Sequence, residues 1–193
     1  MLLNRKTKFS ISEAQIKEDV KAPDGALLLK INIKHPSIKC AKKDPLSKYA
    51  VRFYVDVSSA FLEFAKKELI KTALNAYNAD KENFSPYSAV MRYEVTLENQ
   101  DYLSVMLDIA IFDGKNTSSL ERKTQVWERK YGTKCKYTNF ISKKQLLEHI
   151  SETEKKRFDR DLFVLLEGAL EFFIRNGDGY SKILIKLEES DKK

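Results

Sequence analysis

The chain is poor in the residues from which most catalytic and metal sites are built. Among its 193 residues are two cysteines, two histidines, one tryptophan, six glycines and four prolines. Cys40 and Cys135 do not make a disulfide framework, and neither lies in a Cys-x-x-Cys pair, so both are expected as idle or buried thiols. No glycine- or proline-rich linker divides the sequence, so residues 1–193 are expected to form a single domain. No apolar run approaches the ~20 residues that cross a bilayer. The start, Met-Leu-Leu-Asn-Arg-Lys, lacks the apolar segment of a signal peptide. These absences point to a soluble, reduced, cytoplasmic protein that does not engage a membrane.

The scarcity extends to reaction chemistry. His35 precedes Pro36 and suits a strand end. His149 and Glu152 stand at i and i+3, a spacing that could place two metal ligands on one helix face, but no second such pair exists. Gly177-Asp-Gly179 is a hairpin turn and not a phosphate loop, because no helix N-terminus follows it. The reading is therefore non-enzymatic, with no catalytic, cofactor or metal residues assigned.

What is present is alternation. Met91–Glu98 and Leu103–Phe112 switch between apolar and polar residues and are joined by Asn99-Gln-Asp-Tyr102, the pattern of an antiparallel hairpin. One register opposes Leu97 to Leu103, Val95 to Val105, Tyr93 to Leu107 and Met91 to Ile109. A slip by one residue would oppose apolar to polar side chains. That register also sets Arg92 against Asp108, which makes these two and Glu94 surface charges rather than an acid–base couple.

Further elements follow from periodicity and turn residues. Residues 7–19 read as an edge strand, Lys21-Ala-Pro-Asp-Gly25 as a turn, and Leu27–Lys34 as a strand that His35-Pro36 ends. A long helix is expected from about Leu46 to Ala79, with Tyr49, Phe53, Val57, Ala60, Phe61, Phe64, Leu69, Ala73, Leu74 and Tyr77 inward. Asp44 caps it with Pro45 at its first position. A strand covers Leu120–Tyr131. Ser142 and Gln145 form a capping box for a helix running to about Gly168, with a break near Ser151. A last hairpin joins Leu170–Arg175 to Tyr180–Leu187 across Asn176-Gly-Asp-Gly179. The fold class is α+β in two layers. An antiparallel sheet of about six strands is covered on one face by one long helix and one or two further helices.

The stretch Tyr93-Glu-Val-Thr96, the apolar strand Leu103–Phe112, the strand Arg122-Lys-Thr-Gln-Val-Trp-Glu-Arg-Lys-Tyr-Gly132, the segment Tyr137-Thr-Asn-Phe-Ile-Ser142 and the hairpin Glu171–Gly179 share an order of elements. In that order residues 87–142 resemble the C-terminal domain of RsiV-type anti-sigma factors, which also accompanies PdaC-type polysaccharide deacetylases. The element order agrees over about residues 46–187, preceded by the basic strands of residues 7–34. Asp113-Gly-Lys-Asn-Thr-Ser118 departs from the Gly-Gly-Ala-His type loop of that family. The resemblance implies a non-catalytic accessory or ligand-sensing domain of unassigned role, in proteins that often work outside the cell.

Charge supplies the remaining clue. The formal net charge is +7, and it is concentrated in residues 1–48 and 115–144. Clustered positive charge attracts phosphate backbones, so an alternative function is nucleic-acid association through residues 30–48 and 115–144. Only 8 of the 35 basic residues are Arg, the better bidentate phosphate ligand, which weakens that alternative. One face of the strand 120–131 would carry Lys123, Gln125, Trp127, Arg129 and Tyr131. An aromatic and basic stripe of this kind suits a protein or glycan partner. Which face of that strand is covered, and the oligomeric state, are left open by the sequence.

Overall fold

The structure is a computed structural model that describes residues 9–187. The strand expected from residue 7 therefore begins outside the described residues, as does the charged tail after Leu187. In chain order the elements are β1 (Ser10–Lys21), β2 (Leu27–Lys39), α1 (Pro45–Phe64), a π-helical turn (Ala65–Leu69) and α2 (Ile70–Ala79). Next come β3 (Tyr87–Glu98), β4 (Tyr102–Phe112), β5 (Thr117–Glu128) and the two-residue β6 (Thr133–Lys134). A 3₁₀ turn (Tyr137–Asn139), α3 (Lys143–Glu148) and α4 (Glu152–Lys155) lead to β7 (Phe158–Leu166), β8 (Ala169–Asn176) and β9 (Gly179–Lys186). The strands form a six-stranded sheet in the order β1-β2-β3-β4-β5-β6 and a three-stranded sheet β7-β8-β9. The α+β class is as expected, but the strands fall into two sheets rather than one.

The chain divides into two compact units, residues up to Tyr93 with Asp108–Glu121, and Glu94–Leu107 with the residues from Arg122 onward. In the first unit the long helix covers the sheet. Phe61, Ala65, Leu69, Ala73 and Tyr77 pack on Leu29, Ile31, Ile33, Ala89, Met91 and Ile109. The predicted cap is present, since the Asp44 carboxylate accepts the Leu46 N–H at 3.0 Å with Pro45 in the first turn.

The buried face of the helix differs from the expected one. Its buried positions are Leu46, Ala50, Tyr54, Ser58, Phe61, Ala65, Leu69, Ala73 and Tyr77, whereas Tyr49, Ala60 and Phe64 are exposed. Small residues hide this face from a count of large apolar side chains. Steps of four dominate it, and an α-helix turns about 40° too far at each such step. The wider turn at Ala65–Leu69 takes up part of that drift, which gives the π segment a packing cause.

Two strand expectations are corrected. β2 does not end at His35-Pro36 but runs to Lys39. Pro36 pairs with Glu13 of β1, while the parallel pairing with β3 covers only Leu29–Ile33, so the missing N–H falls where β2 has one partner strand. The β2–β3 pair is parallel, made possible by the long helical crossover. The sheet is thus mixed rather than purely antiparallel.

The second unit holds the larger correction. Residues 158–166, expected at the end of a helix, form β7. Phe158, Leu162, Val164 and Leu165 fit a helical period, but in the strand successive residues are sorted to opposite faces. Phe163 and Leu165 join Leu170 and Phe172 against Tyr137, Phe140, Leu146 and Ile150. Val164 and Phe173 pack with Met106. Both faces of β7 and β8 therefore carry buried side chains, whereas Leu184 of β9 is exposed. Only the short α3 and α4 occupy residues 143–155, each with a Ser capping box, at Ser142 and at Ser151. The β8–β9 hairpin forms with the expected turn, Asn176 opposite Gly179, but within the second sheet.

The β3–β4 hairpin shows why β4 is apolar on both faces. Thr96 Oγ1 reaches Ser104 Oγ at 2.8 Å, the alignment that the expected register requires. Yet Ser104 is fully buried and Met106 nearly so. Ser104 Oγ accepts the Leu165 N–H at 2.9 Å, and Thr96 Oγ1 donates toward the Leu165 carbonyl at 3.0 Å. The polar face of the hairpin is, at this end, the seat of β7.

Candidate functional site

Within the second unit, four chain segments and Leu187 meet around a cleft of about 480 Å³. The β3–β4 turn supplies Asn99, Asp101 and Tyr102, and the end of β5 supplies Glu128 and Lys130. The 3₁₀ turn adds Asn139 and Phe140, and the β7–β8 turn adds Glu167 and Gly168. Leu97, Leu165, Leu166 and Leu187 form apolar wall. The volume lies within the range of about 300–1,000 Å³ usual for ligand clefts.

Each turn is held by its own chemistry. Asn99 Oδ1 accepts the N–H groups of Asp101 (2.9 Å) and Tyr102 (2.8 Å), which closes the hairpin turn. The Asp101 carbonyl accepts the Arg129 N–H at 2.8 Å, and Arg129 donates a guanidinium N–H to the Asn99 carbonyl at 2.6 Å. Asn139 Oδ1 accepts the Lys136 N–H at 2.7 Å. The Gly168 carbonyl accepts the Leu187 N–H at 2.9 Å, tying the end of β9 to the β7–β8 turn. With Oδ1 occupied in both Asn99 and Asn139, what each amide can offer a ligand is its NH₂ donor.

The floor is aromatic and the rim is acidic. Tyr102 and Phe140 meet edge to face with centroids 5.3 Å apart. Burial raises the Tyr102 phenol above its ordinary value, with Cys135, Glu128 and Asp101 adding to the effect. The same causes act on Cys135, where burial and Glu128 push the thiol to about 11. Lys130 is raised by its hydrogen bond with Tyr131 and by Glu128, and its ammonium lies 4.9 Å from the Tyr131 ring centre. Among the described residues no ion pair or side-chain hydrogen bond engages the carboxylates of Asp101, Glu128 or Glu167. The cleft can accept hydrogen bonds and positive charge, and no histidine or cysteine lines it.

The stripe expected on β5 is not a continuous surface. Trp127 is buried, at 5% exposure, whereas Tyr131 is 57% exposed. Lys123, Gln125 and Arg129 are half-buried. Arg129 and Tyr131 flank the cleft residue Lys130 in sequence, but none of the five stripe residues lines the cleft. The cleft itself has no sequence signature, because its residues come from four segments and Leu187, far apart in sequence. The one local cue is the Asn99-to-Tyr102 joint, legible as a turn and not as a rim.

The other sequence-flagged residues lie elsewhere. Arg92 and Glu94 are exposed and Asp108 is half-buried. His35 is half-buried on β2, and His149 caps α3 with Nδ1 2.9 Å from the Gln145 carbonyl. Cys40 and Cys135 are both free thiols. Among the described residues no group of three His, Cys, Asp or Glu is placed to hold a metal ion, and no helix is long and apolar enough to cross a membrane.

No protein-family model matches the chain, and no curated protein matches it. Solved structures do. A member of the DUF3298 family from Bacteroides fragilis superposes with a TM-score of 0.60 at 14% identity, covering 93% of this chain and 91% of that one. The chain has the fold of that DUF3298 structure. A DUF3298 family protein from Pseudomonas aeruginosa gives a TM-score of 0.49 at 12% identity over 94% of this chain and 92% of that one. DUF3298 is an uncharacterised domain family, and neither neighbour carries an enzymatic name.

Proposed function

We propose that this chain is a non-catalytic binding or regulatory module, of the kind that the RsiV-like resemblance implies, and that it receives a protein or glycan partner in the cleft of its second unit. The observation that carries the reading is the lining. Three carboxylates that no ion pair or side-chain hydrogen bond engages among the described residues, two amide donors and one ammonium surround aromatic and leucine side chains. Such a surface matches peptide N–H groups, basic side chains or sugar hydroxyls, with apolar contact beneath. The shared fold with a structure from a family of unassigned role is compatible with this reading.

Nucleic-acid association through residues 30–48 and 115–144 is the weaker reading. Both arginines of the second segment are engaged. The Arg122 guanidinium lies 4.5 Å from the Phe173 ring centre and 4.9 Å from that of Tyr180, and Arg129 is bonded to the Asn99 carbonyl. Probing glycan and peptide arrays with the purified chain tests the proposal, with the Glu128→Lys variant in parallel. Signals that the variant loses support it, and blank arrays sink it. A salt-sensitive shift of a labelled oligonucleotide on the same preparation would favour the nucleic-acid reading instead.

A further inference from the structure

We propose that the chain also self-associates, by antiparallel pairing of β1 with β1 of a second copy about a two-fold axis at Gln15. This does not depend on the cleft. β1 is the outer strand of the six-stranded sheet, twelve residues long, and among the described residues it pairs with β2 alone. A strand of that length with one unpaired side is a template for another strand.

The backbone of that edge can be assigned. Pro36 has no N–H, so the Glu13–Pro36 pair cannot exchange the two hydrogen bonds of a bonded antiparallel pair. Bonded and non-bonded pairs alternate, so Ala14–His35 and Ile16–Ile33 are the bonded ones. The N–H and C=O groups of Glu13, Gln15, Lys17 and Asp19 therefore point away from β2, toward the open edge. Only a two-fold axis through a residue brings such outward groups of two copies together.

For axes from Glu13 to Asp19, the stretch whose outward backbone groups are assigned above, charge then selects the register. With the axis at Gln15, Glu13 of each copy faces Lys17 of the other, twice, and Ala14 faces Ile16. An axis at Glu13, Lys17, Glu18 or Asp19 sets a charge against itself. An axis at Ile16 opposes Glu13 to Asp19, and one at Ala14 makes no pair of opposite charges. Opposite charges directly across a strand pair stabilise it and like charges destabilise it. Glu13 also binds Lys34 at 2.8 Å, yet its side chain keeps 43% of its surface open. The side chains of Glu13, Gln15, Lys17 and Asp19 lie on the exposed face, so the pairing buries no ion in the core.

The test is the solution mass of the full chain by light scattering and sedimentation. The wild type is expected at twice the chain mass. Lys17→Glu and Glu13→Lys each put like charges opposite one another and are expected at the single-chain mass. Mixed in equal amounts, the two variants restore both Glu–Lys pairs and are expected to return to the double mass. Gln15→Pro takes the N–H from the open edge and leaves the β1–β2 backbone bonds intact, losing beside it only the exposed side-chain bond to Asn32 at 3.0 Å. It is expected to give the single mass with an unchanged circular dichroism spectrum. A wild type at the single-chain mass, charge variants that stay dimeric, or a mixture that does not recombine would each overturn the proposal.

Discussion

At the join between β7 and the β3–β4 hairpin, the Ser104 hydroxyl satisfies a buried amide, and its removal should be costly. Ser104 is fully buried, and its Oγ accepts the buried Leu165 N–H at 2.9 Å. Ser104→Ala changes almost no volume, so cavity formation adds little. What it removes is the acceptor of a buried amide, and an unsatisfied buried donor costs about 1–3 kcal/mol. Thr96→Val leaves the Leu165 N–H paired and deletes only the Thr96 hydroxyl bonds, for which about 0.5–1.5 kcal/mol is expected. The two sites share the 2.8 Å Thr96–Ser104 bond, so the double variant should lose less than the sum of the single ones. Urea unfolding followed through Trp127, the only tryptophan and a buried one, measures each value. Ser104→Ala within about 0.5 kcal/mol of wild type, the range of an ordinary surface change, would refute the reasoning.

Further predictions concern the turns and thiols. Tyr77 donates its hydroxyl to Asp24 at 2.6 Å, with the Ala26 N–H and Lys81 also donating, and these bonds hold the Asp24 carboxyl down at about 2. A depressed carboxylate adds stability that is present above its unfolded value of about 3.9 and lost as pH falls through about 2. An NMR titration of the Asp24 carboxyl carbon checks this, and a midpoint near the unfolded value contradicts it. Gly114 has φ +90°, and a Cβ there would lie 2.4 Å from the Ser85 carbonyl oxygen, whereas Gly25 has φ +89° with open space. Gly25→Ala should cost only the conformational strain, about 1–2 kcal/mol, and Gly114→Ala distinctly more, both read by thermal unfolding. Native Cys135 should alkylate much more slowly than Cys40, since Cys135 is buried and raised to about 11. Mass spectrometry after timed iodoacetamide exposure measures the order.

Elements whose cues are local were readable in the sequence. The Asp44-Pro45 cap, the Ser142–Gln145 box, the Asn176–Gly179 turn and the alternation around Asn99–Tyr102 each specify their own geometry within a few residues. Features that depend on distant partners were not. Phe158–Leu166 carries an apolar run that fits either period, and Phe172 of the next strand and Met106, far away in sequence, decide for a strand. Ala50 and Ser58 face inward on the long helix because close packing there favours small residues, which carry little periodic signal. Pro36 reads as a strand end until the one-sided pairing of β2 shows where its missing donor falls. The cleft was the least legible feature, since Asp101, Glu128 and Glu167 lie on separate turns and converge only once the second sheet is in place.

The central claim is that this cleft is where the partner binds. Its most direct test is the dissociation constant of an array-selected glycan or peptide, measured by calorimetry on the wild type and on Glu128→Lys. Glu128 lies in the cleft, half-buried and close enough to Cys135 and Tyr102 to raise both, so a cation in its place reverses the local field. A loss of at least about tenfold in affinity, equivalent to 1.4 kcal/mol, is the predicted result. An unchanged constant in a variant with the wild-type unfolding profile would contradict it.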